Sequence, residues 1–245
     1  MGSCIGVDEA GRGPVIGPLV VCSLCMPRDQ QYLLEEIGVD DSKKLSKNIR
    51  SQLFEQINTL ADLNGWGLGT VICSPKEIDL YMKESDLNAL EVFLFSEAIK
   101  QSSTDTTKNE ILLDACDVDA KRFGRRVQKE LGPNWGSCEI ISKHKMDESS
   151  PLVAAASIIA KNIRDAEMQK LSEEIGFDLG SGYPSDSKTK SAVRKLCEES
   201  CPAECLRWSW STVKNAWNSL GKGELPTRGS DGQYFVQSSL NDWKQ

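Results

Sequence analysis

The stretch Gly6-Val7-Asp8-Glu9-Ala10-Gly11-Arg12-Gly13-Pro14 sets the fold expected for this chain. The apolar run that leads into it predicts a strand that ends at Asp8, and the glycines beyond predict a tight turn. A second apolar, β-rich run extends from Leu19 to Leu24, so the region predicts a strand, a loop and a second strand. Glycines in such a loop let backbone amides approach a ligand closely, and Arg12 adds a fork of hydrogen-bond donors. Contact with a phosphate or a sugar is the role expected of this loop, although a Gly-Arg-Gly turn is more often only a turn.

Beyond this stretch, the hydrophobic pattern predicts strands that alternate with helices. Further strands are expected at residues 66–73, 111–113 and 138–142, and helices are expected to begin at Ser46, at Ser74-Pro75, after Asp114 and at Pro151. The resulting order, β-β-α-β-α-β-α-β, is typical of an α/β protein. A smaller helical region ends near Leu220. We therefore expect a main domain over residues 1–195, a helical part packed on it over 196–220, and a flexible linker with a tail over 221–245.

Composition limits the classes of protein to which the chain can belong. It has 245 residues and a formal net charge of −7, which argues against a protein that coats nucleic acid by bulk charge, so such binding would depend on local basic clusters. We find no membrane span and no secretion signal, and we expect a soluble, intracellular chain. The nine cysteines are expected to be reduced thiols. Cys197, Cys201 and Cys205 recur every four residues, which leaves a zinc site as a minor alternative.

Four acidic residues occupy positions typical of a metal site. Asp8 and Asp114 end predicted strands, Glu9 adjoins Asp8, and Asp147 lies just before the helix that begins at Pro151. If the two strands are neighbours, the four carboxylates converge on one point, and convergent carboxylates repel unless a divalent cation holds them. Oxygen ligands alone favour Mg²⁺ or Mn²⁺ over zinc. The nearby carboxylates that could be solvated, pair with bases or replace one of the four are Asp117, Asp119, Glu148 and Asp165.

The only histidine, His144, limits the other mechanisms that are open to the chain. A Ser-His-Asp or Cys-His hydrolase would have to use it, but it lies in a basic run and no nucleophile motif such as G-x-S-x-G is present. We therefore expect His144 to be a surface residue or to lie at the edge of a substrate.

The opening stretch, with Gly17-Pro18, resembles the signature of the type 2 ribonuclease H family, ribonuclease HII, in its archaeal and eukaryotic-like form. Later motifs of that family are resembled in the same order by Asp41 to Leu45, Leu113-Asp114, Asp147, Ala154 to Lys161, Arg164-Asp165 and Gly180 to Asp186. The resemblance spans residues 4 to about 215. The segment Lys143 to Asp147 departs from it, because a Lys-Ala-Asp-like sequence is expected there.

The resemblance implies an RNase H-like fold, in which helices flank a mixed five-stranded sheet and a helical C-terminal extension follows. It implies that Asp8, Glu9, Asp114 and Asp147 bind two divalent ions, Mg²⁺ or Mn²⁺. One ion would lower the pKa of an attacking water and the other would stabilise the leaving 3′-oxygen, which leaves 5′-phosphate and 3′-hydroxyl ends. The implied substrates are RNA/DNA hybrids and duplex DNA cut 5′ of an embedded ribonucleotide, with roles in ribonucleotide and RNA primer removal.

The resemblance also implies how the substrate is recognised. Backbone groups of Gly11, Arg12 and Gly13 would hold the ribose 2′-hydroxyl, which distinguishes RNA from DNA, while Tyr183 packs against the sugar and bonds to the same hydroxyl. The phosphates that flank the cut would be contacted by Ser42, Lys43, Lys161 and Arg164.

The end of the chain carries a candidate partner motif. Gln237, Leu240 and Trp243 match the Q-x-x-[LIM]-x-x-aromatic pattern of peptides that bind sliding clamps, although Lys244 replaces the usual second aromatic. Packing of the tail on the body is the alternative. We expect a monomeric catalytic chain, cytoplasmic or, in a eukaryote, nuclear. Other hypotheses are a different two-metal nuclease of the same fold, which would cut DNA, and a non-catalytic subunit attached to the clamp.

Overall fold

The computed structural model describes residues 2–39, 45–106 and 109–228. Within these ranges a single five-stranded sheet has the order β3-β2-β1-β4-β5. The strands are β1 (Ser3–Ala10), β2 (Leu19–Pro27), β3 (Gly67–Cys73), β4 (Glu110–Asp114) and β5 (Glu139–Lys143). β1 pairs antiparallel with β2 and parallel with β4, which pairs parallel with β5. The mixed five-stranded sheet expected from the sequence is confirmed.

The described ranges contain eight α-helices. They are α1 (Tyr32–Glu36), α2 (Lys47–Asn64), α3 (Pro75–Tyr81), α4 (Leu87–Ser102), α5 (Ala120–Leu131), α6 (Pro151–Ile175), α7 (Ser187–Leu196) and α8 (Ser211–Ser219). α3 begins at Ser74-Pro75 as predicted, with a capping box in which the Ser74 hydroxyl accepts from the Glu77 amide and the Glu77 carboxylate accepts from the Ser74 amide. Gly65 caps the C-terminus of α2, and its positive φ of 66° suits glycine. The helical stretch predicted after Pro75 is divided into α3 and α4.

Helices lie on both faces of the sheet. On one face, side chains of α2, α6, β1 and β2 form one buried core. This core includes Leu24 of β2, Ile57 of α2 and Ile158 of α6. Gly6 of β1 allows α6 to come close, since a methyl group at this position would lie 2.7 Å from Cγ of Leu152. On the opposite face α4 approaches β2 and β3. The close packing of Gly6 against Leu152 brings β1 beside the start of α6.

Packing divides the chain into two units. The first comprises residues up to Ala10, Val20–Ile72 and Glu91–Arg164, and the second comprises Gly11–Leu19, Cys73–Leu90 and the residues from Asp165 onwards. The first unit contains the sheet core. The second has its own core, in which α7 and α8 pack around buried side chains such as Leu206 and Trp217. The domain boundaries expected at residues 195 and 220 stay a prediction.

Two features of the second unit bear on the predictions made for this part of the chain. α7 ends at Leu196, so Cys197, Cys201 and Cys205 do not share a helix face, and they form no metal-capable group among the described residues. Arg228 lies in the segment predicted to be a flexible linker, yet its side chain is buried and pairs with Asp79 at 2.8 Å. The chain is therefore anchored at Arg228.

A search of the described residues for a helix with the length and hydropathy of a membrane span finds none.

Candidate active site

Three of the predicted carboxylates come together in the first unit. β1 and β4 are parallel neighbours with Val7 opposite Leu113, so Asp8 and Asp114 follow at adjacent positions. Asp147 lies in a short 3₁₀ turn, Met146–Glu148, just before α6. One carboxylate oxygen from each of the three aspartates can be chosen so that all lie within 4.8 Å of one another. The predicted convergence therefore holds for these three residues.

Hydrogen bonds hold this cluster in place. The backbone amide of Met146 donates to Oδ1 of Asp114 at 3.1 Å, which ties the 3₁₀ turn to the end of β4. The amide of Glu9 donates to Oδ1 of Asp8 at 2.7 Å. Lys161 of α6 extends its ammonium to 4.0 Å from Oδ2 of Asp147. This lysine is therefore at the limit of ion-pair distance from Asp147.

The electrostatics of the cluster favour a cation. The side chains of Asp8 and Asp147 are almost entirely buried. Burial raises the pKa of Asp8 well above its ordinary value, and the charges of Glu9 and Asp114 raise it further. Buried carboxylates that share one site suit a divalent ion, and an all-oxygen donor set fits Mg²⁺ or Mn²⁺ better than zinc.

Glu9 belongs to a second group. Successive side chains of a strand point to opposite faces, and β1 continues through Ala10 rather than ending at Asp8 as predicted. Glu9 accordingly groups with Glu91 of α4 and with Cys116, whose ligand atoms lie within 4.8 Å of its own. Glu9 remains close enough to Asp8 for its charge to raise the pKa of that residue.

Sequence reasoning missed Glu91. Its side chain is fully buried and lies in the apolar run Leu90 to Leu94 of α4. A charged residue inside such a run is the signal that could have identified it, because glutamate is rarely buried without a partner.

The alternative carboxylates have structural partners. Asp117 accepts from the guanidinium of Arg122 at 2.9 Å, and this hydrogen bond lowers its pKa to about 2. Asp119 caps α5 by accepting from the amide of Arg122, and Glu148 pairs with Lys145 at 3.4 Å. Among the described residues, neither metal-capable group includes Asp117, Asp119, Glu148 or Asp165.

The loop of residues 11–18 between β1 and β2, the glycine loop, lies opposite Tyr183 in the second unit. Gly11 has a φ of 96°, a conformation that glycine adopts without strain, and Arg12 donates to Oδ1 of Asn88 at 2.6 Å. A methyl group at Gly13 would lie 3.6 Å from Cε1 of Tyr183. The side chain of the tyrosine is 41% exposed, so it is not part of the core.

Polar contacts hold the segment that carries Tyr183. The amide of Gly182 donates to the hydroxyl of Thr189 at 3.0 Å, and the carbonyl of Gly182 accepts from the amide of Val15 at 2.8 Å. Asp186 accepts from the amide of Ser181, and this hydrogen bond lowers its pKa to about 2. The tyrosine therefore stands on a backbone that is bonded to the glycine loop itself.

The remaining predicted site residues differ in how far the structure describes them. Lys161 is partly exposed on α6, whereas Arg164 is buried. His144 is exposed, as expected, and its ring nitrogens lie 3.3 Å from backbone carbonyls of Ala115 and Val118. Outside the described residues lie Ser42, Lys43, Gln237, Leu240 and Trp243.

Comparisons with known proteins point in one direction. A family model described as Ribonuclease HII matches residues 5–213. Ribonuclease HII of Pyrococcus furiosus is 42% identical over 217 residues, which cover 88% of this chain and 91% of the relative. The crystal structure of ribonuclease H2 from Pyrococcus horikoshii OT3 superposes with a TM-score of 0.78 and 35% identity, covering 90% of this chain and 99% of that one. The PCNA:RNase HII complex from Archaeoglobus fulgidus matches with a TM-score of 0.74 and 34% identity, covering 87% of this chain and 96% of that one.

Proposed function

Because the chain belongs to the ribonuclease HII family, we propose that it hydrolyses the RNA strand of RNA/DNA hybrids and cuts duplex DNA 5′ of embedded ribonucleotides. The chain is a ribonuclease H, and hence a nuclease and a hydrolase. The observation that carries the proposal is the cluster of Asp8, Asp114 and Asp147, whose carboxylate oxygens lie within 4.8 Å of one another. Removal of ribonucleotides and of RNA primers from DNA is the role that such an activity would serve.

Asp8, Glu9, Asp114 and Asp147 would hold two divalent ions, Mg²⁺ or Mn²⁺. Bound there, such ions supply activation of the attacking water and charge neutralisation at the leaving 3′-oxygen, which leaves 5′-phosphate and 3′-hydroxyl ends. The buried Asp8 contributes a carboxylate that has little competing hydration. Glu9, on the opposite face of β1, would bind from the other side of the strand, with Glu91 and Cys116 beside it.

The glycine loop and Tyr183 would select the substrate. The amides of the loop would donate to the 2′-hydroxyl, and the exposed ring of Tyr183 would pack on the ribose while its hydroxyl bonds to the same group. Support comes from the position of the tyrosine ring opposite the loop, since a methyl group added at Gly13 would come within 3.6 Å of Cε1 of Tyr183.

Basic side chains would contact phosphates on either side of the cut. Lys161 is the described candidate with the better access, since its side chain is partly exposed and reaches towards Asp147. Arg164 would act from a buried position, one turn along the same helix. Ser42 and Lys43 complete the proposed set.

The tail would bind a sliding clamp through Gln237, Leu240 and Trp243. The similar chain from Archaeoglobus fulgidus forms a complex with PCNA, which supports this proposal. A titration of the clamp with the full chain and with a chain that ends at Gly232 tests it. Equal affinity of the two chains would exclude the tail as the binding element.

The metal site is tested by calorimetric titration of Mn²⁺ and Mg²⁺ into the metal-free protein. The Asp147→Asn variant should bind either ion at least tenfold more weakly than the wild type, because it removes a charged ligand from the cluster. Asp117→Asn is the matched control, since Asp117 is equally buried but pairs with Arg122. Unchanged binding by Asp147→Asn, or equal loss in both variants, would contradict the assignment.

A further inference from the structure

Arg207 holds the glycine loop from within the second unit. Its side chain is fully buried. Nη2 donates to the carbonyl of Gly11 at 2.6 Å, Nη1 to that of Arg12 at 2.9 Å, and Nε to that of Gly17 at 3.1 Å. A guanidinium is a planar, rigid fork of donors, so one group fixes the direction of three carbonyls in one loop.

The neighbours of Arg207 complete this arrangement. The backbone amide of Arg207 donates to the carbonyl of Val15 at 2.9 Å. Nε1 of Trp210 donates to the carbonyl of Gly13 at 3.3 Å, and the guanidinium of Arg207 stacks on the Trp210 ring at 4.9 Å. The loop carbonyls thus turn towards the segment that runs from Arg207 to Trp210.

The orientation of the carbonyls fixes the orientation of the amides. All peptide bonds among the described residues are trans, and in a planar trans peptide the N–H points away from the carbonyl of the same unit. The carbonyl of Gly11 shares a peptide with the N–H of Arg12, and the carbonyl of Arg12 shares one with the N–H of Gly13. Both N–H groups therefore point away from Arg207. The next peptide leads to Pro14 and has no N–H to offer.

We propose that Arg207 is a positioning residue for ribose recognition, which keeps the amides of Arg12 and Gly13 turned outward as the two donors for the 2′-hydroxyl. The inference rests on the proposed function of the glycine loop. It assigns the selectivity of the loop to a side chain about 195 residues away along the sequence. Lysine cannot replace this group, because a single ammonium lacks the fork that spans three carbonyls.

Arg228 provides a matched control. Its guanidinium is also buried in the second unit, pairs with Asp79 at 2.8 Å, donates to the carbonyl of Glu204 at 2.8 Å and stacks on Trp208. Nη2 of Arg228 also donates to the carbonyl of Leu206, next to Arg207 in the sequence, but none of these contacts reaches the glycine loop itself. Replacing Arg228 by lysine should therefore destabilise the protein to a similar degree without turning the loop amides.

The experiment measures binding rather than cutting. In an Asp8→Asn background with Mg²⁺, fluorescence anisotropy gives the Kd for a DNA duplex that carries one ribonucleotide and for the same duplex made wholly of DNA. The Kd for the all-DNA duplex divided by the Kd for the duplex with one ribonucleotide measures the preference for the 2′-hydroxyl. It is determined for Arg207→Lys, Arg228→Lys and Gly13→Ala, with the melting temperature of each variant recorded alongside.

Arg207→Lys should lower the ratio by about tenfold, the effect of misaligning the hydrogen bonds to one hydroxyl, while Arg228→Lys leaves the ratio unchanged. Should Arg207→Lys fail to fold, Trp210→Leu replaces it, because loss of the stacking ring should loosen the guanidinium and lower the ratio in part. A parental ratio in Arg207→Lys, or in Trp210→Leu where that variant replaces it, overturns the inference. An equal fall of the ratio in Arg228→Lys also overturns it.

The proposed function of the loop fails by a different outcome. A parent protein that binds both duplexes equally, or a Gly13→Ala variant that keeps the full preference, would remove the loop from ribose recognition and the inference with it. A loss of preference in Gly13→Ala, combined with full preference in Arg207→Lys, would overturn the inference alone.

Discussion

Replacement of Asp8 by asparagine should stabilise the metal-free protein. Asp8 is buried, and its carboxylate lies within 4.8 Å of those of Asp114 and Asp147. At an effective dielectric constant of about 20, two unit charges at this distance repel by about 3 kcal/mol. The carboxyl avoids part of this repulsion by keeping a proton, as its raised pKa indicates. We therefore expect Asp8→Asn to gain about 2 kcal/mol, which corresponds to a rise in melting temperature of about 4–8 °C for a chain of this size.

Asparagine should preserve the local geometry. The hydrogen bond from the Glu9 amide to Oδ1 of Asp8 can be kept by the carboxamide oxygen, since asparagine has the same shape and also accepts through that atom. The substitution consequently changes charge far more than packing.

Added Mg²⁺ should reverse the order of stabilities. Wild-type protein gains stability by binding the ions, and Asp8→Asn, which has lost a charged ligand, gains less. Differential scanning fluorimetry in EDTA and in Mg²⁺ measures both effects. Asp117→Asn serves as the control, because it breaks the pair with Arg122 and should lower the melting temperature equally in the two conditions. A drop for Asp8→Asn in EDTA as large as that for Asp117→Asn would refute the reasoning.

The same comparison has a defined pH dependence. A carboxyl whose folded pKa is raised binds more protons in the folded state, so its contribution to stability is greatest below the ordinary pKa of 3.8 and is lost as pH rises through the folded value. Asp8→Asn removes this loss. In metal-free buffer, the advantage of the variant should vanish near pH 4 and grow towards neutral pH, as measured by urea unfolding.

Three further changes have expected outcomes. Gly6→Ala places a methyl group 2.7 Å from Cγ of Leu152 and 2.8 Å from its backbone, so the free energy of unfolding in urea should fall by about 1–3 kcal/mol; an unchanged midpoint would mean that α6 does not pack so closely on β1. Gly13→Ala makes only an ordinary contact with Tyr183, so its melting temperature should stay within about 2 °C of wild type. Its kcat/KM for a single-ribonucleotide duplex should fall by about tenfold or more, because the methyl group takes up space between the loop and the Tyr183 ring and displaces the sugar; full activity would argue against the loop as the sugar site. Removal of residues 233–245 should leave cleavage of a short duplex unchanged and lower the affinity for a sliding clamp, and a loss of cleavage with normal clamp binding would contradict the role given to the tail.

Local patterns were sufficient to predict most of the secondary structure. The start of α3 at Ser74-Pro75, the strand-loop-strand entry and the start of α6 at Pro151 each depend on a few neighbouring residues. The position of Asp8 was less well predicted, because nothing in the local sequence shows that β1 extends to Ala10. Once the strand is known to continue, the period of two residues explains why Asp8 and Glu9 join different groups.

Long-range contacts account for what the sequence did not reveal. Arg207 reaches Gly11 across 196 residues, and no spacing or periodicity reports such a pairing. Glu91 is hidden for a different reason, since in a helical pattern one acidic residue resembles an exposed position, whereas its side chain is fully buried. The role expected of Tyr183 came only from the family resemblance, in which its segment, Gly180 to Asp186, takes part.

The most direct test of the account is the rate of Mg²⁺-dependent cleavage of a DNA duplex that contains one ribonucleotide, compared with the same duplex made wholly of DNA. The wild type should cut only the first duplex, on the 5′ side of the ribonucleotide, and leave a 3′-hydroxyl, while Asp8→Asn should cut neither. Equal cutting of both duplexes by the wild type, or undiminished cutting by Asp8→Asn, would contradict the account.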